Sequence, residues 1–149
     1  MRVVVQRAKD AKCIVNQEVV GQISHGYMLL VGFTHEDSIS EIQLLAKKII
    51  GLRIFEDEMG KLNRSIIDVK GAILAISQFT LYANAKKGNR PSFTEAMAYE
   101  KANQFFTCFV NELKSYNIEV ETGVFGADMQ IAFINVGPTT ILLDSRDLK

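Results

Sequence analysis

Two short polar runs, each set among apolar residues, are the natural places to look for chemistry. Ser77-Gln78-Phe79-Thr80 follows the apolar run 72–76 and precedes Leu81-Tyr82. Hydrogen-bonding side chains in what reads as a buried strand are costly unless something satisfies them, so the interruption suggests a site. Asn135-Val136-Gly137-Pro138-Thr139-Thr140 lies between the apolar runs 132–134 and 141–143, where its Gly-Pro pair reads as a rigid turn between two strands.

Ordinary side-chain catalysis is poorly provisioned around these runs. The two histidines, His25 and His35, belong to no His-Glu-x-x-His or Cys/His cluster, so a zinc site has little support. Ser77 is not in a Gly-x-Ser-x-Gly elbow, and no histidine stands out as a base. No Gly-x-Gly-x-x-Gly or Walker lysine loop occurs either. The acidic trio at 56–58 reads as part of a solvated turn rather than a metal site, and neither metal nor organic cofactor is expected. Thr80 has two readings, a nucleophile or a hydroxyl that orients its strand, and the lack of a base favours the second. Ser77 and Gln78 read as hydrogen-bonding supports for a substrate or a turn, or as satisfied strand polars.

The elements that would position these groups can be read from periodicity. The chain has 149 residues, enough for one domain (1–149) with a core that needs no staples. A strand at 3–5 is followed by a hairpin, 11–15 and 18–23, turning at Asn16-Gln17. A continuous apolar strand at 27–33 contains Gly32, which hints at a bulge or close packing. Ser38 and Glu41 have capping-box spacing, apolar residues recur from 39 to 50 at helical period, and Gly51 reads as the stop. A short strand at 53–55, a turn at 68–71 and a strand at 72–82 come next, then an irregular loop at 83–91. Ser92 and Glu95 suggest a capping box for a second helix, with a stripe at Ala98, Ala102, Phe105, Phe109 and Leu113 and a terminator at Asn117. Phe105 and Phe106 read as core rather than as a platform for bases. Strands at 118–121, 129–135 and 139–144 complete the chain. About eight strands with short connections predict an α+β fold: a barrel-like antiparallel sheet with two helices packed on it.

Composition narrows the setting. Lys plus Arg equals Asp plus Glu at 17 each, so the chain lacks the strong positive field of a protein that coats nucleic acid. Any RNA contact is local, and Lys86, Lys87 and Arg90 form the one notable basic cluster, readable as phosphate contacts or as solvated charge. Cys13 and Cys108 stand alone and suggest buried thiols in a reducing compartment. No signal-peptide core and no run of ~20 apolar residues is present, so a soluble, cytoplasmic protein without a membrane span is expected.

Five segments in order resemble the D-aminoacyl-tRNA deacylase (D-tyrosyl-tRNA deacylase) family. They are Met1-Arg-x-Val-x-Gln-Arg7, Ser77-Gln-Phe-Thr80, Lys87-Gly-Asn-Arg-Pro-Ser-Phe93, Phe125-Gly-Ala-Asp-Met-Gln130 and Asn135-x-Gly-Pro-x-Thr140. The family usually has valine where this chain has Thr139.

The resemblance implies a homodimeric, cofactor-free hydrolase acting on the aminoacylated 3′ end of tRNA, with glycyl-tRNA as a further substrate. Such an ester is already activated, so positioning and backbone N–H groups near Phe79 and Thr80 would suffice, with the terminal 2′-OH helping to activate water. A Gly137-Pro138 bond read alone would be trans, since only about 5–6% of X-Pro bonds in folded proteins are cis. The resemblance implies the cis form, reaching into the partner subunit's pocket as a chirality gate that collides with L side chains. It also implies Arg7 as a brace for that turn, Phe125 and Met129 as a slot for the terminal adenine, and Asn135 as a substrate-binding residue. Without it, Arg7 reads equally as a surface arginine, and Phe125 and Met129 as core. Two alternatives stay open: a relaxed deacylase that removes L-amino acids, and a catalytically silent module that binds tRNA ends.

Overall fold

Asn16 and Gln17, with φ of 49° and 66°, turn strand β1 (Arg2–Val15) back into β2 (Glu18–Gly32). This is the expected hairpin, and it is longer than the sequence suggests. The runs at 3–5 and 11–15 are one strand, as are those at 18–23 and 27–32, with Phe33 just beyond the end. Irregular backbone keeps each strand continuous while changing which face its residues serve. Asp10 (φ 51°) lies at a register shift between Lys9 and Lys12 against the last strand, and beyond it Ala11 and Cys13 join Ala8 in a second apolar cluster. The computed structural model describes residues 1–148, and Lys149, the last residue of the expected domain, lies outside them.

Helix α1 (Ile39–Gly51) starts at the predicted capping box. The Ser38 side chain accepts from the backbone, while the Glu41 carboxylate accepts from the Ser38 N–H at 2.7 Å. A two-stranded ribbon, β3 (Phe55–Glu56) and β4 (Leu62–Arg64), precedes β5 (Ala72–Ser77). Helix α2 (Tyr99–Lys114) then leads to β6 (Val120–Thr122) and β7 (Gln130–Asp144). The second capping box does not form. Ser92 pairs instead with Asn84 through two backbone bonds of 2.8 Å, and α2 begins later, at Tyr99, with Ala98 at the N-cap and no side-chain cap. Its buried stripe is Ala102, Phe106, Phe109, Val110 and Leu113, so Phe106 enters the core and Phe105 packs partly against it. Asn117 ends the helix region with φ of 58°.

The main sheet has the order β6-β5-β2-β1-β7. It is open, with β6 and β7 as edges, so the expected barrel-like closure is not found. Nor is it wholly antiparallel. β1 pairs antiparallel with β2 and β7, but β5 is parallel to both β2 and β6. The reason lies in the connections: β2 reaches β5 by way of α1, and β5 reaches β6 by way of α2, and helix-containing crossovers return the chain in parallel. The fold is thus a mixed α+β domain.

Both helices cover one face, where Val3, Val5, Tyr27, Leu29, Val31, Ile73 and Ala75 meet Ile42, Leu45, Ile49, Phe109 and Leu113. The other face carries the smaller cluster of Cys13, Ile23, Met28, Leu74 and Ile76. Cys13 is buried as expected, but Cys108 is exposed, because it lies just off the buried stripe of α2. Among the described residues no helix is long and apolar enough to cross a membrane.

Candidate active site

The sheet's regular pairing ends where the first polar run begins. The Gln78 N–H donates to the Val31 carbonyl at 2.7 Å, and the chain then tightens into a 3-10 helix over Phe79–Tyr82. The strand expected to continue to Tyr82 therefore stops at Ser77. Gly32 makes room for the change: a Cβ there would lie 2.9 Å from the Gln78 carbonyl oxygen and 3.1 Å from the Leu81 Cβ. The first N–H satisfied within the 3-10 helix is that of Leu81, to Gln78 at 3.3 Å. The N–H groups of Phe79 and Thr80 precede it and have no partner within the helix.

Arg2 fastens this segment to the sheet. Its Nη1 donates to the Leu81 carbonyl at 2.9 Å, its Nε donates to Asp144 at 2.9 Å, and its guanidinium lies 4.6 Å from the centre of the Tyr82 ring. Burial pushes the Tyr82 phenol far above its usual range, and its hydroxyl has no hydrogen-bond partner among the described residues. The Thr80 hydroxyl accepts from Gln78 Nε2 and is exposed. Both histidines hold main-chain carbonyls elsewhere: His25 Nε2 meets Val69 O at 3.0 Å and His35 Nε2 meets Thr94 O at 2.7 Å.

Beside the 3-10 helix is a cavity of about 640 Å³, within the range of small-ligand sites. Ser77, Gln78 and Phe79 form one wall, and Phe125, Gly126 and Met129 another. Five of the residues singled out in the sequence thus meet in one place: Ser77, Gln78, Phe79, Phe125 and Met129. At Gly126 it is the chain's own Tyr99 that comes close. With φ of 77° the glycine sits under the Tyr99 ring, where a Cβ would collide with the phenol.

The second polar run lies apart from the cavity. The two strands expected on either side of the Gly-Pro are a single strand, β7, from which the turn is looped out. Gln6 pairs with Thr140 and Ala8 with Asn135, so Arg7 alone faces the four residues 136–139. The Gly137-Pro138 bond is cis. Gly137 and Pro138 are exposed, and neither lines the cavity of its own chain.

Arg7 is buried (7% exposed), not a surface residue. Its Nε donates to the Val136 carbonyl at 3.2 Å, its Nη1 to the Ile54 carbonyl at 3.1 Å, and its Nη2 is 3.7 Å from Glu56. Asn135 serves the turn with both ends of its amide: Oδ1 accepts from the Thr139 N–H at 3.2 Å, and Nδ2 donates to Thr140 Oγ1 at 3.0 Å. Lys86, Lys87 and Arg90 lie on the exposed loop after the 3-10 helix and outside the cavity lining.

The model of the D-Tyr-tRNA(Tyr) deacylase family matches residues 4–144. The D-aminoacyl-tRNA deacylase of Anoxybacillus flavithermus is 55% identical over 146 residues, covering 98% of this chain and 100% of the relative. The chain belongs to the D-aminoacyl-tRNA deacylase family. It is a hydrolase with D-aminoacyl-tRNA deacylase function, and its substrate is an aminoacyl-tRNA. The Fusobacterium nucleatum member is 51% identical over 147 residues, covering 99% of this chain and 97% of that one. A solved structure described as c-Myc DNA Unwinding Element Binding Protein is 39% identical, with a TM-score of 0.91 over 97% of this chain and 98% of that one. A probable eukaryotic D-amino acid tRNA deacylase, 16% identical with a TM-score of 0.83 over 95% and 97% of the two chains, shares the fold.

For a deacylase, several lining residues went unnoticed in the sequence. Phe93, Met97 and Tyr99 line the cavity together with Val31 and Phe33. Phe93 closes the basic loop segment Lys87–Phe93, which was the available signal. Met97 and Tyr99 were hidden by the misplaced helix start, which put both inside a helix. Ile54 and Glu56, the other partners of Arg7, carry no signal at all, since nothing in their sequence points to residue 7. Among the described residues no three His, Cys, Asp or Glu side chains converge as metal ligands, and the acidic turn is occupied with its own backbone. Asp57 accepts from the N–H groups of Lys61 (3.0 Å) and, to lesser effect, Met59 (2.9 Å), which holds its carboxyl below the usual range.

Proposed function

We propose that the chain acts as a homodimer that hydrolyses D-aminoacyl-tRNA, and glycyl-tRNA as well, while sparing L-aminoacyl-tRNA. The observation that carries this reading is the separation, within one chain, of the cavity from the Gly-Pro turn. A braced and exposed turn with nothing of its own chain to act on fits a gate that works on a second copy. The edge strand β7 that bears it also exposes Ile134 (55%) and Leu142 (65%), which suits burial against a partner.

In this mechanism the terminal adenine enters the wall formed by Phe125 and Met129, and the ester carbonyl lies against the N–H groups of Phe79 and Thr80. Water adds to the carbonyl carbon, with the substrate's 2′-OH assisting. The two N–H groups hold the developing oxyanion. Collapse breaks the ester bond, and the proton given up by water ends on the departing tRNA hydroxyl. Ser77 and Gln78 shape the wall, and the Thr80 side chain is a support rather than a nucleophile.

The partner's copy of Gly137-Pro138 closes the cavity from outside and presents backbone to the α-carbon. An L side chain collides there, a D side chain points away, and glycine has nothing to collide. Arg7 and Asn135 keep the turn in place, so Asn135 acts on the substrate through the gate. Lys86, Lys87 and Arg90 meet tRNA phosphates, which makes binding weaken with salt. The cytoplasm, where aminoacyl-tRNA is used, is the compartment.

The test is hydrolysis of matched D- and L-tyrosyl-tRNA by the purified protein in EDTA, with glycyl-tRNA as a third substrate. Loss of the D and glycyl esters alone is the expected result. Cleavage of the L ester at a similar rate would indicate a relaxed deacylase without a gate. Binding without any cleavage would indicate a module for tRNA ends.

A further inference from the structure

We infer that the exposed Phe79–Phe93 pair is a stacking platform for the base of the nucleotide preceding the terminal adenosine. The inference rests on the deacylase reading above. Most large aromatic side chains here serve the core: Tyr27, Tyr82 and Phe109 are at most 1% exposed. Phe79 and Phe93 are 56% and 39% exposed, yet they touch each other, with ring centroids 5.0 Å apart and planes at 69°. Edge-to-face contact leaves ring surface uncovered, and both residues line the cavity, so that surface lies at its mouth.

The backbone around Phe93 is fixed from several sides while its ring is left bare. Asn84 and Ser92 exchange two bonds of 2.8 Å, Thr34 Oγ1 donates to the Glu95 carbonyl at 2.6 Å, and the Met97 N–H donates to the Phe33 carbonyl at 3.0 Å. His35 contributes the contact to Thr94 already described, which requires its Nε2 to carry a proton. A rigid apolar surface exposed at the cost of so many anchors is pre-organised for a ligand.

The chemistry of the loop says which ligand. Lys86, Lys87 and Arg90 precede Phe93 on a segment whose one carboxylate, Glu95, accepts from Asn84 Nδ2 at 3.3 Å, and the cavity lining itself adds one more, Asp128. Cations interleaved with a bare ring match a strand of phosphates and bases, as in proteins that hold single-stranded nucleic acid. Tyr99, the other exposed aromatic at the cavity, packs on Phe125 (centroids 5.2 Å) and so belongs to the adenine wall. That leaves Phe79 and Phe93 for the next base along the acceptor end.

The experiment compares two esters, D-tyrosyl-adenosine and D-tyrosyl-cytidylyl-adenosine, on the wild type, Phe93→Ala, Phe93→Trp and Tyr99→Ala. The wild type should prefer the dinucleotide ester. Phe93→Ala should erode that preference roughly 10- to 100-fold in kcat/KM, chiefly through KM, as expected for one lost stacking contact. Phe93→Trp should keep it. Equal losses on both esters in Phe93→Ala, or erosion by Tyr99→Ala in place of Phe93→Ala, would overturn the platform. So would a wild type that cleaves the two esters equally, and this leaves the deacylase reading standing. A wild type that cleaves neither ester overturns both.

Discussion

Two excursions leave the sheet, and each is held by an arginine from β1. Arg2 grips the 3-10 helix at the Leu81 carbonyl, and Arg7 grips the looped-out turn at the Val136 carbonyl. In both, a planar fork of donors reaches a main-chain oxygen of the excursion; Arg2 adds the Asp144 carboxylate and the Tyr82 ring, and Arg7 adds the Ile54 carbonyl. The settings differ. The 3-10 helix lines the cavity of its own chain and is anchored by the buried Tyr82. The turn points outward from an edge strand and exposes Gly137 and Pro138. In the proposed function the first excursion has its object within the chain, and the second acts on another copy. The two arginines should therefore fail in different ways.

Arg7→Ala should have the largest effect. It leaves the Val136 and Ile54 carbonyls without a buried donor, a loss on the order of 2–4 kcal/mol of stability. Discrimination between D and L esters should fall by at least about tenfold, equivalent to ~1.4 kcal/mol, while cleavage of the D ester persists. Lysine should not rescue it, because one ammonium lacks the fork that spans both carbonyls. Arg2→Ala should instead lower the rate on D esters, by roughly tenfold, with the D-to-L ratio kept, since it loosens only the 3-10 segment proposed to hold the oxyanion. Rates on both tyrosyl esters, read beside thermal unfolding, decide the matter. A ratio unchanged in Arg7→Ala, or altered in Arg2→Ala, would break the division of labour.

Acid should act on the Arg2 side first. Hydrogen bonds from the Arg146 side chain, and after them from Arg2, hold the Asp144 carboxyl well below the usual carboxylate range. A lowered folded-state pKa means stability that is present above the unfolded value, near 3.9, and is lost as pH falls from there toward the folded value. Unfolding followed between about pH 5 and pH 2 should show this loss as a fall of a few degrees in Tm. Asp144→Asn should flatten that slope. The effect is modest because Arg146 is more than half exposed. Arg7 relies mainly on carbonyls, which do not titrate, so the turn should hold where the 3-10 segment loosens. A slope unaffected by Asp144→Asn would remove the electrostatic account.

How much of this could be read in advance follows from where each signal is stored. The first hairpin, α1 and its cap were legible because turn and cap chemistry are local: Asn16-Gln17 and Ser38–Glu41 act within a few residues. The polar interruption at Ser77–Thr80 was visible too, but not that it becomes a 3-10 helix, because the room for it is made by Gly32 on another strand. The second capping box misled for the same reason. Ser92 has the right spacing from Glu95, and a tertiary partner, Asn84, takes its backbone instead. Parallel pairing of β5 was obscured by counting short turns between strands and overlooking that helices lie in two of the connections. The placement of Arg7 had no local signal, since its partners at 54, 56 and 136 are distant in sequence and two of them are main-chain oxygens.

The smallest expected effect concerns Thr139, where the family usually has valine. Its side chain lies over Gly137, with Oγ1 2.6 Å from where a Cβ on that glycine would sit, and its hydroxyl makes no hydrogen bond among the described residues. Its N–H to Asn135 is main-chain and survives substitution by valine. Thr140 is the opposite case: its Oγ1 accepts from both Gln6 Nε2 (3.2 Å) and Asn135 Nδ2 (3.0 Å). Thr139→Val should therefore change stability by no more than about 0.5 kcal/mol and leave the D-to-L ratio within roughly twofold. Thr140→Val should cost about 0.5–1.5 kcal/mol and loosen the turn. If Thr139→Val nevertheless shifted selectivity, the hydroxyl would have a partner that one chain does not supply, and the place to find it would be the second subunit or the ester held there.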